Sequence, residues 1–292
     1  MHETFCRAVS DGGAVVGDLA EARALVWADP QAVDAFPEVI ASAPNVEWIQ
    51  LPYAGIEPFA RHLDGRFTWT CGKGVYAEPV AEHVIALALA GLRGLARYVP
   101  ATSWKGPVGR NLLGATITVI GGGGITESLL RLLGPWNTTV RVVRRHPAPM
   151  TGAASVVGSG QLIDAVRDAD VVVLACALTK ETVGIVDASV LAAMQPHAWL
   201  VNVARGAHVV NEDLLTALRD RSIGGAALDV TDPEPLPDDH PLWAEPRCII
   251  TPHVANTPEM GLPLIAARVR DNVERWVAGR DLLGPVDVGL GY

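Results

Sequence analysis

The stretch Thr116–Thr126, with the sequence TITVIGGGGIT, is the part of the chain that decides the fold. Its first five residues, rich in Thr, Val and Ile, predict a buried strand. Four glycines follow, and Thr126–Leu133 then carries leucines at helical spacing before Gly134 and Pro135, which are common helix stop signals. A strand, a glycine loop and a helix N-terminus together predict an anion site, because backbone N–H groups and the helix dipole point toward the loop.

The glycine loop is predicted to bind the pyrophosphate of a dinucleotide. A glycine at the first position forms the tight turn, and one at the third lets the phosphates approach the backbone. The residues assigned to this site are Gly121, Gly122, Gly123, Gly124 and Ile125. The last position of the G-x-G-x-x-G pattern is Thr126, so we expect its side chain to hold the helix farther from the sheet or to require a small neighbour. The alternative interpretation is a flexible turn.

Two arginines follow the next predicted strand, Thr139–Val143. Sites selective for NAD carry an acidic residue at this strand end, which binds the ribose 2′-hydroxyl. Here the strand runs into Arg144 and Arg145, whose guanidinium groups suit a 2′-phosphate. The sequence therefore predicts NADP(H) as the cofactor, with NAD(H) as the alternative. The competing interpretation is a pair of exposed arginines at a strand end.

Strands and helices alternate along the chain, which is typical of an α/β fold with a parallel sheet. Further strands are predicted at Ala24–Ala28, Val46–Leu51, Val171–Ala175, Trp199–Val203 and Arg247–Thr251. A stretch rich in proline, glycine and polar residues at 99–111 predicts a linker. We therefore expect a Rossmann-type dinucleotide-binding domain over 99–262 and a smaller substrate domain over 1–98 and 263–292, completed by a helix near Leu264–Ala278. The apolar helix Pro79–Leu95 is expected at a boundary between domains or subunits.

Composition narrows the class of protein. The chain has 292 residues, 49% of them hydrophobic, and a net charge of −9 from 23 basic and 32 acidic residues. Such a composition excludes a disordered chain and does not favour a nucleic-acid binder. The apolar runs are well short of the ~20 residues that span a bilayer, and the four cysteines lie far apart, without metal-site spacing. We expect a cytoplasmic protein with no membrane partner and no bound metal.

Five segments carry a resemblance to a known family. In chain order they read PVAEHVIALALAGL (79–92), ADVVVLACALTKET (169–182), VNVARGAHVV (201–210), GAALDVTDPEPL (225–236) and ITPHVANTPE (250–259). The chain from about Tyr53 to Thr257 resembles the D-isomer-specific 2-hydroxyacid dehydrogenases. The resemblance implies an NAD(P)-dependent enzyme that reduces a 2-oxo acid to a D-2-hydroxy acid, a flavodoxin-like α/β substrate domain and a homodimer.

Three residues supply the chemistry that this reaction needs. Reducing a 2-oxo acid requires a cation for the carboxylate, a proton for the carbonyl oxygen and a hydride. Arg205 follows a predicted strand end, where ligands bind in open α/β sheets, and its planar guanidinium suits a carboxylate. His253 is suited to be the acid, and Glu234 can orient its imidazole and stabilise the charged form. The resemblance assigns the same catalytic roles to these positions.

The resemblance implies further contacts. Ala54 and Gly55 correspond to the loop whose backbone N–H groups bind the substrate carboxylate, together with Arg205 and His253. Asp229 corresponds to an aspartate that contacts the nicotinamide end of the cofactor; the alternative is an N–H acceptor in a turn. Other cofactor contacts are expected at Ala175, Cys176, Leu178, Val203 and Ala204.

Two other functions remain open at this point. A dinucleotide-sensing regulatory protein of the same fold would tolerate Thr126 and also Ala177, which stands where the family usually has proline. It would leave Arg205 and His253 without a purpose. A formate-oxidising enzyme would carry glutamine where this chain has Glu234. The identity of the 2-oxo acid is also open among glyoxylate, hydroxypyruvate, phenylpyruvate and biosynthetic oxo acids.

Overall fold

The computed structural model describes residues 1–29 and 31–289. The helices are α1 (His2–Asp11), α2 (Phe36–Ala41), α3 (Ala77–Leu92), α4 (Leu95–Tyr98), α5 (Gly124–Leu133), α6 (Leu162–Val166), α7 (Ala188–Ala193), α8 (Asn211–Arg219) and α9 (Pro258–Val277). The strands are β1 (Ala24–Val26), β2 (Trp48–Gln50), β3 (Thr68–Thr70), β4 (Thr116–Ile120), β5 (Thr139–Val143), β6 (Ser155–Val157), β7 (Val171–Leu174), β8 (Trp199–Asn202), β9 (Gly225–Leu228) and β10 (Cys248–Ile250). Over these ranges no helix is both long and apolar enough to cross a bilayer.

Contacts divide the chain into two compact units. The first contains the residues up to Tyr76 and those from Asn256 onward, and the second is Ala77–Ala255. The second unit holds a seven-stranded parallel sheet in the order β10-β9-β8-β7-β4-β5-β6. The chain adds strands outward from β4 in one direction and then, from β7, in the other, so the switch point lies between β4 and β7. The predicted Rossmann-type fold is confirmed.

The centre of this sheet is buried on both faces. Every residue of β7, β8 and β9 is buried, which is why these strands are nearly continuous apolar runs. Helix α3 packs on α5 and against β8, where a Cβ on Gly91 would overlap the indole ring of Trp199. The buried residues of α3 therefore pack within its own unit, and the expected place of this helix at a boundary between domains or subunits stays a prediction.

The compact units differ from the predicted domains at both boundaries. The second unit begins at Ala77 rather than at 99, because α3 packs on α5 and the sheet. It ends at Ala255 rather than at 262, because α9 begins at Pro258 and packs on α1 in the first unit. The predicted linker at 99–111 lies inside the second unit, where the backbone N–H of Arg110 donates to Leu92 O at 2.7 Å.

The first unit is built on a parallel sheet in the order β1-β2-β3. One side packs an aromatic cluster that includes Trp27, Phe36 and Trp69. Buried polar side chains join the sheet to α9, since Gln50 Oε1 accepts hydrogen bonds from Thr70 Oγ1 and Asn272 Nδ2, each at 2.8 Å. These bonds satisfy groups that would otherwise be costly to bury.

The contact between α3 and β8 makes a stability prediction. Alanine normally favours a helix over glycine by about 1 kcal/mol. Gly91→Ala should instead destabilise the protein by about 1–3 kcal/mol, because the added Cβ overlaps the Trp199 ring. Urea denaturation measures the change. Gly134→Ala is the matched control, since an added Cβ there meets no described atom within 4 Å other than those of the adjoining residues and the local helix backbone. Equal effects of the two substitutions would contradict the packing described.

Candidate active site

The carboxyl ends of all seven parallel strands lie along one edge of the large sheet, and the predicted site residues of the second unit follow those ends. Neighbouring strands lie about 4.8 Å apart, so the strand order sets the order of the loops along the edge. From one end of the edge to the other, the loops carry His253, then Asp229 and Glu234, then Arg205, then Ala175 and Cys176, then Gly121–Gly124, and finally Arg144 and Arg145. The proton donor and carboxylate-binding candidates therefore follow three adjacent strands, and the candidates for the adenosine and the phosphates of the cofactor follow the next three.

The His253 and Glu234 side chains form a direct pair. The Nδ1 atom of His253 lies 2.6 Å from Oε1 of Glu234. Both side chains are about half exposed, at 51% and 42%, so the pair is accessible to a ligand. A carboxylate on Nδ1 leaves Nε2 as the ring nitrogen that can exchange a proton with another molecule.

The backbone of His253 is held in a left-handed conformation. Its φ is 53°, which is uncommon for a residue with a side chain and costs about 1–3 kcal/mol unless the surroundings enforce it. The His253 N–H donates to Asp229 O at 2.8 Å, and the N–H groups of Val254 and Ala255 donate to the Asp229 carboxylate at 2.9 and 3.1 Å. Asp229 therefore fixes the turn that presents the imidazole.

The Asp229 carboxylate is almost completely buried, with 1% of the side chain exposed. It accepts a hydrogen bond from Thr251 Oγ1 at 2.6 Å, and His83 Nε2 lies 3.3 Å away. Burial by itself raises the pKa of Asp229, but hydrogen bonds from His83, Thr251 and the following backbone outweigh it, and the net pKa is lowered. With so little exposed surface, Asp229 acts as the N–H acceptor of a turn. The contact with the nicotinamide that the resemblance implies remains a prediction.

The loop that carries Arg205 is fixed through its backbone. The buried side chain of Asn202 donates from Nδ2 to Arg205 O at 2.8 Å and accepts from Ala204 N at 3.0 Å. The next residue is Gly206, and a Cβ there would overlap the carbonyl group of Thr231. The Arg205 loop therefore lies directly against the segment that leads to Glu234, and only glycine at position 206 permits this approach.

His208 joins the Arg205 loop to the loop after β7. Its ring is fully buried, and Nδ1 lies 3.2 Å from Arg205 N and 3.0 Å from Arg205 O. On the other side of the ring, Nε2 lies 3.5 Å from Cys176 Sγ and 3.3 Å from Ala177 O. Burial raises the pKa of the Cys176 thiol to about 11, so the sulfur stays protonated at neutral pH. Two loops predicted to contact different ligands thus share one buried imidazole.

The geometry of the glycine loop fits a dinucleotide pyrophosphate. Gly121 has φ 117°, and a Cβ there would overlap the carbonyl oxygen of Ala175. At Gly123, by contrast, no described atom beyond the adjoining residues lies within 4 Å of the place where a Cβ would stand. The loop is therefore tight on the side of the sheet and open on the side where α5 begins, so that N–H groups of the first helical turn remain available to an anion.

Thr126 is accommodated at the position where the motif usually has glycine. Its side chain is fully buried, and Oγ1 donates to Gly121 O at 2.8 Å. The hydroxyl is thus satisfied within the glycine loop, and it ties the first turn of α5 back to the residue that follows β4.

The two arginines after β5 occupy different surroundings. The side chain of Arg144 covers Gly122, and its Cδ atom lies 2.8 Å from the position that a Cβ added to Gly122 would occupy. The side chain of Arg145 forms an ion pair with Glu181, with Nη2 and Oε2 3.2 Å apart. No acidic residue directly follows β5 in the sequence, but the fold brings Glu181, from the loop after β7, to Arg145.

The remaining predicted contacts are less distinctive. Ala54 and Gly55 lie in the first unit, in the segment after β2, and Ala54 is exposed. In the second unit, Val203 and Ala204 are buried, while Leu178 is half-buried.

Several residues that shape the site were not identified from the sequence. Asn202 and Thr251 lie within the quoted segments at strand ends, so their position was a usable signal. His208 is a polar residue in an otherwise apolar stretch, which was a weaker signal. No local pattern indicated His83 or Glu181, because each meets its partner only through the fold: His83 approaches Asp229 from α3, and Glu181 approaches Arg145 from a different loop.

Comparison with known proteins identifies the family. Residues 84–255 match the family described as D-isomer specific 2-hydroxyacid dehydrogenase, NAD binding domain. The chain belongs to this family. It is an NAD(P)-dependent oxidoreductase of the 2-hydroxyacid dehydrogenase class, as the sequence predicts.

Two individual relatives and one solved structure are similar to most of this chain. A glyoxylate/hydroxypyruvate reductase A from Yersinia enterocolitica is 30% identical over 283 residues, which cover 92% of this chain and 87% of the relative. A protein of Corynebacterium melassecola, described as an uncharacterized protein in the proB 3′ region, is 38% identical over 264 residues, 88% of this chain and 87% of the relative. The crystal structure of a D-isomer specific 2-hydroxyacid dehydrogenase from Xanthobacter autotrophicus, in complex with NADPH and MES, is 27% identical with a TM-score of 0.85 and covers 100% of this chain and 96% of that one.

The buried carboxylate of Asp229 predicts a pH-dependent stability. Folding lowers the pKa of Asp229, so the ionised carboxylate stabilises the folded protein. This stabilisation is complete above the pKa of an aspartate in the unfolded chain, about 4, and is lost as the pH falls through the pKa of Asp229 in the folded protein. Asp229→Asn should lower the midpoint of thermal unfolding by about 2–8 °C at pH 7. The difference from the unsubstituted protein should shrink below about pH 4. Asp239→Asn, at an exposed position, is the control, and a pH-independent difference would count against this role.

Proposed function

We propose that this protein reduces a small 2-oxo acid, such as glyoxylate or hydroxypyruvate, to the 2-hydroxy acid, with NADPH as the preferred reductant and the D-isomer as the product where it is chiral. The observation that carries the proposal is the 2.6 Å contact between His253 Nδ1 and Glu234 Oε1, on loops beside the one that carries Arg205. The name of the Yersinia relative supports the substrate class, and the NADPH complex of the Xanthobacter structure supports the cofactor.

His253 is proposed to protonate the substrate. With Nδ1–H directed at Glu234, the imidazolium holds its transferable proton at Nε2. The Glu234 carboxylate stabilises the charged ring before transfer and keeps its hydrogen bond to Nδ1 afterwards. The proton moves from Nε2 to the carbonyl oxygen as negative charge develops there. A bound reduced nicotinamide supplies the hydride for this reaction.

Arg205 is proposed to bind the substrate carboxylate and the adjacent carbonyl oxygen. Its planar guanidinium can donate two parallel hydrogen bonds to an anion, which fixes orientation as well as position. Asn202 and His208 hold the Arg205 backbone, so the side chain starts from a fixed point. A positive charge near the developing alkoxide lowers the barrier, since it interacts more strongly with the transition state than with the neutral carbonyl. Ala54 and Gly55 are proposed, on the resemblance alone, to donate backbone N–H groups to the carboxylate.

The cofactor is proposed to bind along the other half of the sheet edge. Its pyrophosphate is assigned to Gly121–Gly124 and the N-terminus of α5, and its 2′-phosphate to Arg144 and Arg145. The open position at Gly123 and the arginine side chain over Gly122 support this assignment. The loop after β7, with Ala175 and its neighbours, is assigned to the adenosine.

The chain is also proposed to form a homodimer in the cytoplasm, and sedimentation as a monomer would contradict the dimer.

Replacing the proposed acid tests the mechanism. His253→Ala should lower kcat for glyoxylate or hydroxypyruvate by about 10²–10⁴-fold, because the developing alkoxide then lacks its proton donor. Glu234→Gln should also lower kcat, since the amide does not stabilise the charged ring. Both variants should bind NADP⁺ within twofold of the unsubstituted protein, as measured by calorimetry. His2→Ala, an exposed histidine in the first unit, is the control, and an unchanged rate in His253→Ala would remove the proposal.

Substitution of Arg144 and Arg145 tests the proposed preference for NADPH over NADH. The unsubstituted enzyme should show a higher kcat/KM with NADPH than with NADH. Arg144→Gln with Arg145→Gln should lower kcat/KM for NADPH by about 10-fold or more, because charge-assisted bonds to the 2′-phosphate are lost, and should change that for NADH less than threefold. Steady-state rates with both reduced cofactors measure this ratio. An equal or higher efficiency with NADH in the unsubstituted enzyme would contradict the predicted preference.

A further inference from the structure

The ion pair between Arg145 and Glu181 joins two loops on either side of the glycine loop. Arg145 follows β5 and Glu181 lies in the loop after β7, and these two strands flank β4 in the sheet. Strand β4 leads directly into Gly121–Gly124. The pair of side chains therefore links the loops that border the proposed phosphate site, although the two residues are 36 positions apart in the sequence.

The position of Glu181 is set by its own loop. Thr179 Oγ1 donates to Glu181 Oε2 at 2.7 Å, and Thr179 N donates to Thr182 Oγ1 at 2.7 Å. Thr182 Oγ1 in turn donates to Ala177 O at 2.8 Å. The Thr179 hydroxyl is the largest influence that lowers the pKa of Glu181, and the charge of Arg145 adds to it. At neutral pH a fixed, ionised carboxylate is therefore directed at Arg145.

This carboxylate competes for the guanidinium that the proposed function assigns to the 2′-phosphate. The two side chains are 45% and 69% exposed, so the pair is weak and screened by salt. A doubly charged phosphate can displace it, but the carboxylate then remains near the phosphate and repels it. For a cofactor without the phosphate the charge has the opposite consequence, since a carboxylate is the group that accepts a hydrogen bond from the ribose 2′-hydroxyl in NAD-selective sites.

We propose that Glu181 is a specificity-determining residue, which weakens the binding of NADP(H), favours that of NAD(H) and so limits the selectivity that Arg144 and Arg145 confer. The inference rests on the proposed function, because it requires the dinucleotide to bind over the glycine loop. The inference gives the loop after β7 a part in the choice between the two cofactors, in addition to the part proposed for the arginines after β5.

Calorimetric titration with NADP⁺ and NAD⁺ tests the inference without turnover. Glu181→Gln keeps the shape of the side chain and the hydrogen bond from Thr179 but removes the charge. The ratio of the Kd for NAD⁺ to the Kd for NADP⁺ should rise by roughly 3–10-fold, the range expected from losing an exposed ion pair and a repulsive charge. The rise should diminish in 0.5 M salt. Glu212→Gln, which removes the charge of an exposed glutamate on α8, is the matched control and should leave the ratio within twofold.

A second background isolates the role of Arg145. Arg145→Gln should weaken NADP⁺ binding, and adding Glu181→Gln to it should change the ratio less than the single substitution does, since the competing pair is already absent. A ratio that stays within twofold or falls in Glu181→Gln would overturn the inference and leave the proposed function intact. Failure of the unsubstituted protein to bind either dinucleotide would overturn both.

Discussion

An ionised carboxylate is stable inside a protein only when donors surround it, and Asp229 meets this requirement with groups that belong to the active-site loops. Its oxygens accept hydrogen bonds from Thr251 and from the N–H groups of Val254 and Ala255. Those bonds enforce the left-handed turn at His253 between them. The same contacts thus offset two costs, that of burying the Asp229 charge and that of the uncommon backbone conformation at His253. As a result, the His253 imidazole is directed at Glu234.

The parallel sheet converts this local arrangement into a functional order. Because every strand ends at the same edge, the proposed proton donor, carboxylate-binding group, adenosine loop and phosphate loop lie in this order along it, with the Glu234 loop between the first two. His208 joins the second and third of these loops through a fully buried ring. The loop after β7 is therefore linked to the backbone of Arg205 by direct contacts of one side chain.

The sequence predicted those features whose signals are local. Strands β4 and β5 were identified at their observed bounds, because apolar runs covered on both faces have a clear pattern. Strands β3, β6 and β9 were missed: the first two are three residues long, and β9, with the sequence GAAL, lacks the branched side chains that mark a strand. The contact-based unit begins at Ala77 rather than at the predicted 99, because α3 is apolar through its centre, and such a pattern shows that a helix is buried without showing what covers it.

By itself, the sequence determined the fold class and the family, and it predicted Arg205, Glu234 and His253 as the catalytic candidates, since these predictions depend on residue types at fixed distances from strand ends. Only the tertiary structure decided which side chains meet across loops. It directed Asp229 inward to the turn at His253 and brought Glu181 to Arg145. The physical reason is that hydrogen bonds and ion pairs between distant residues depend on strand order and helix packing, which local sequence patterns do not encode.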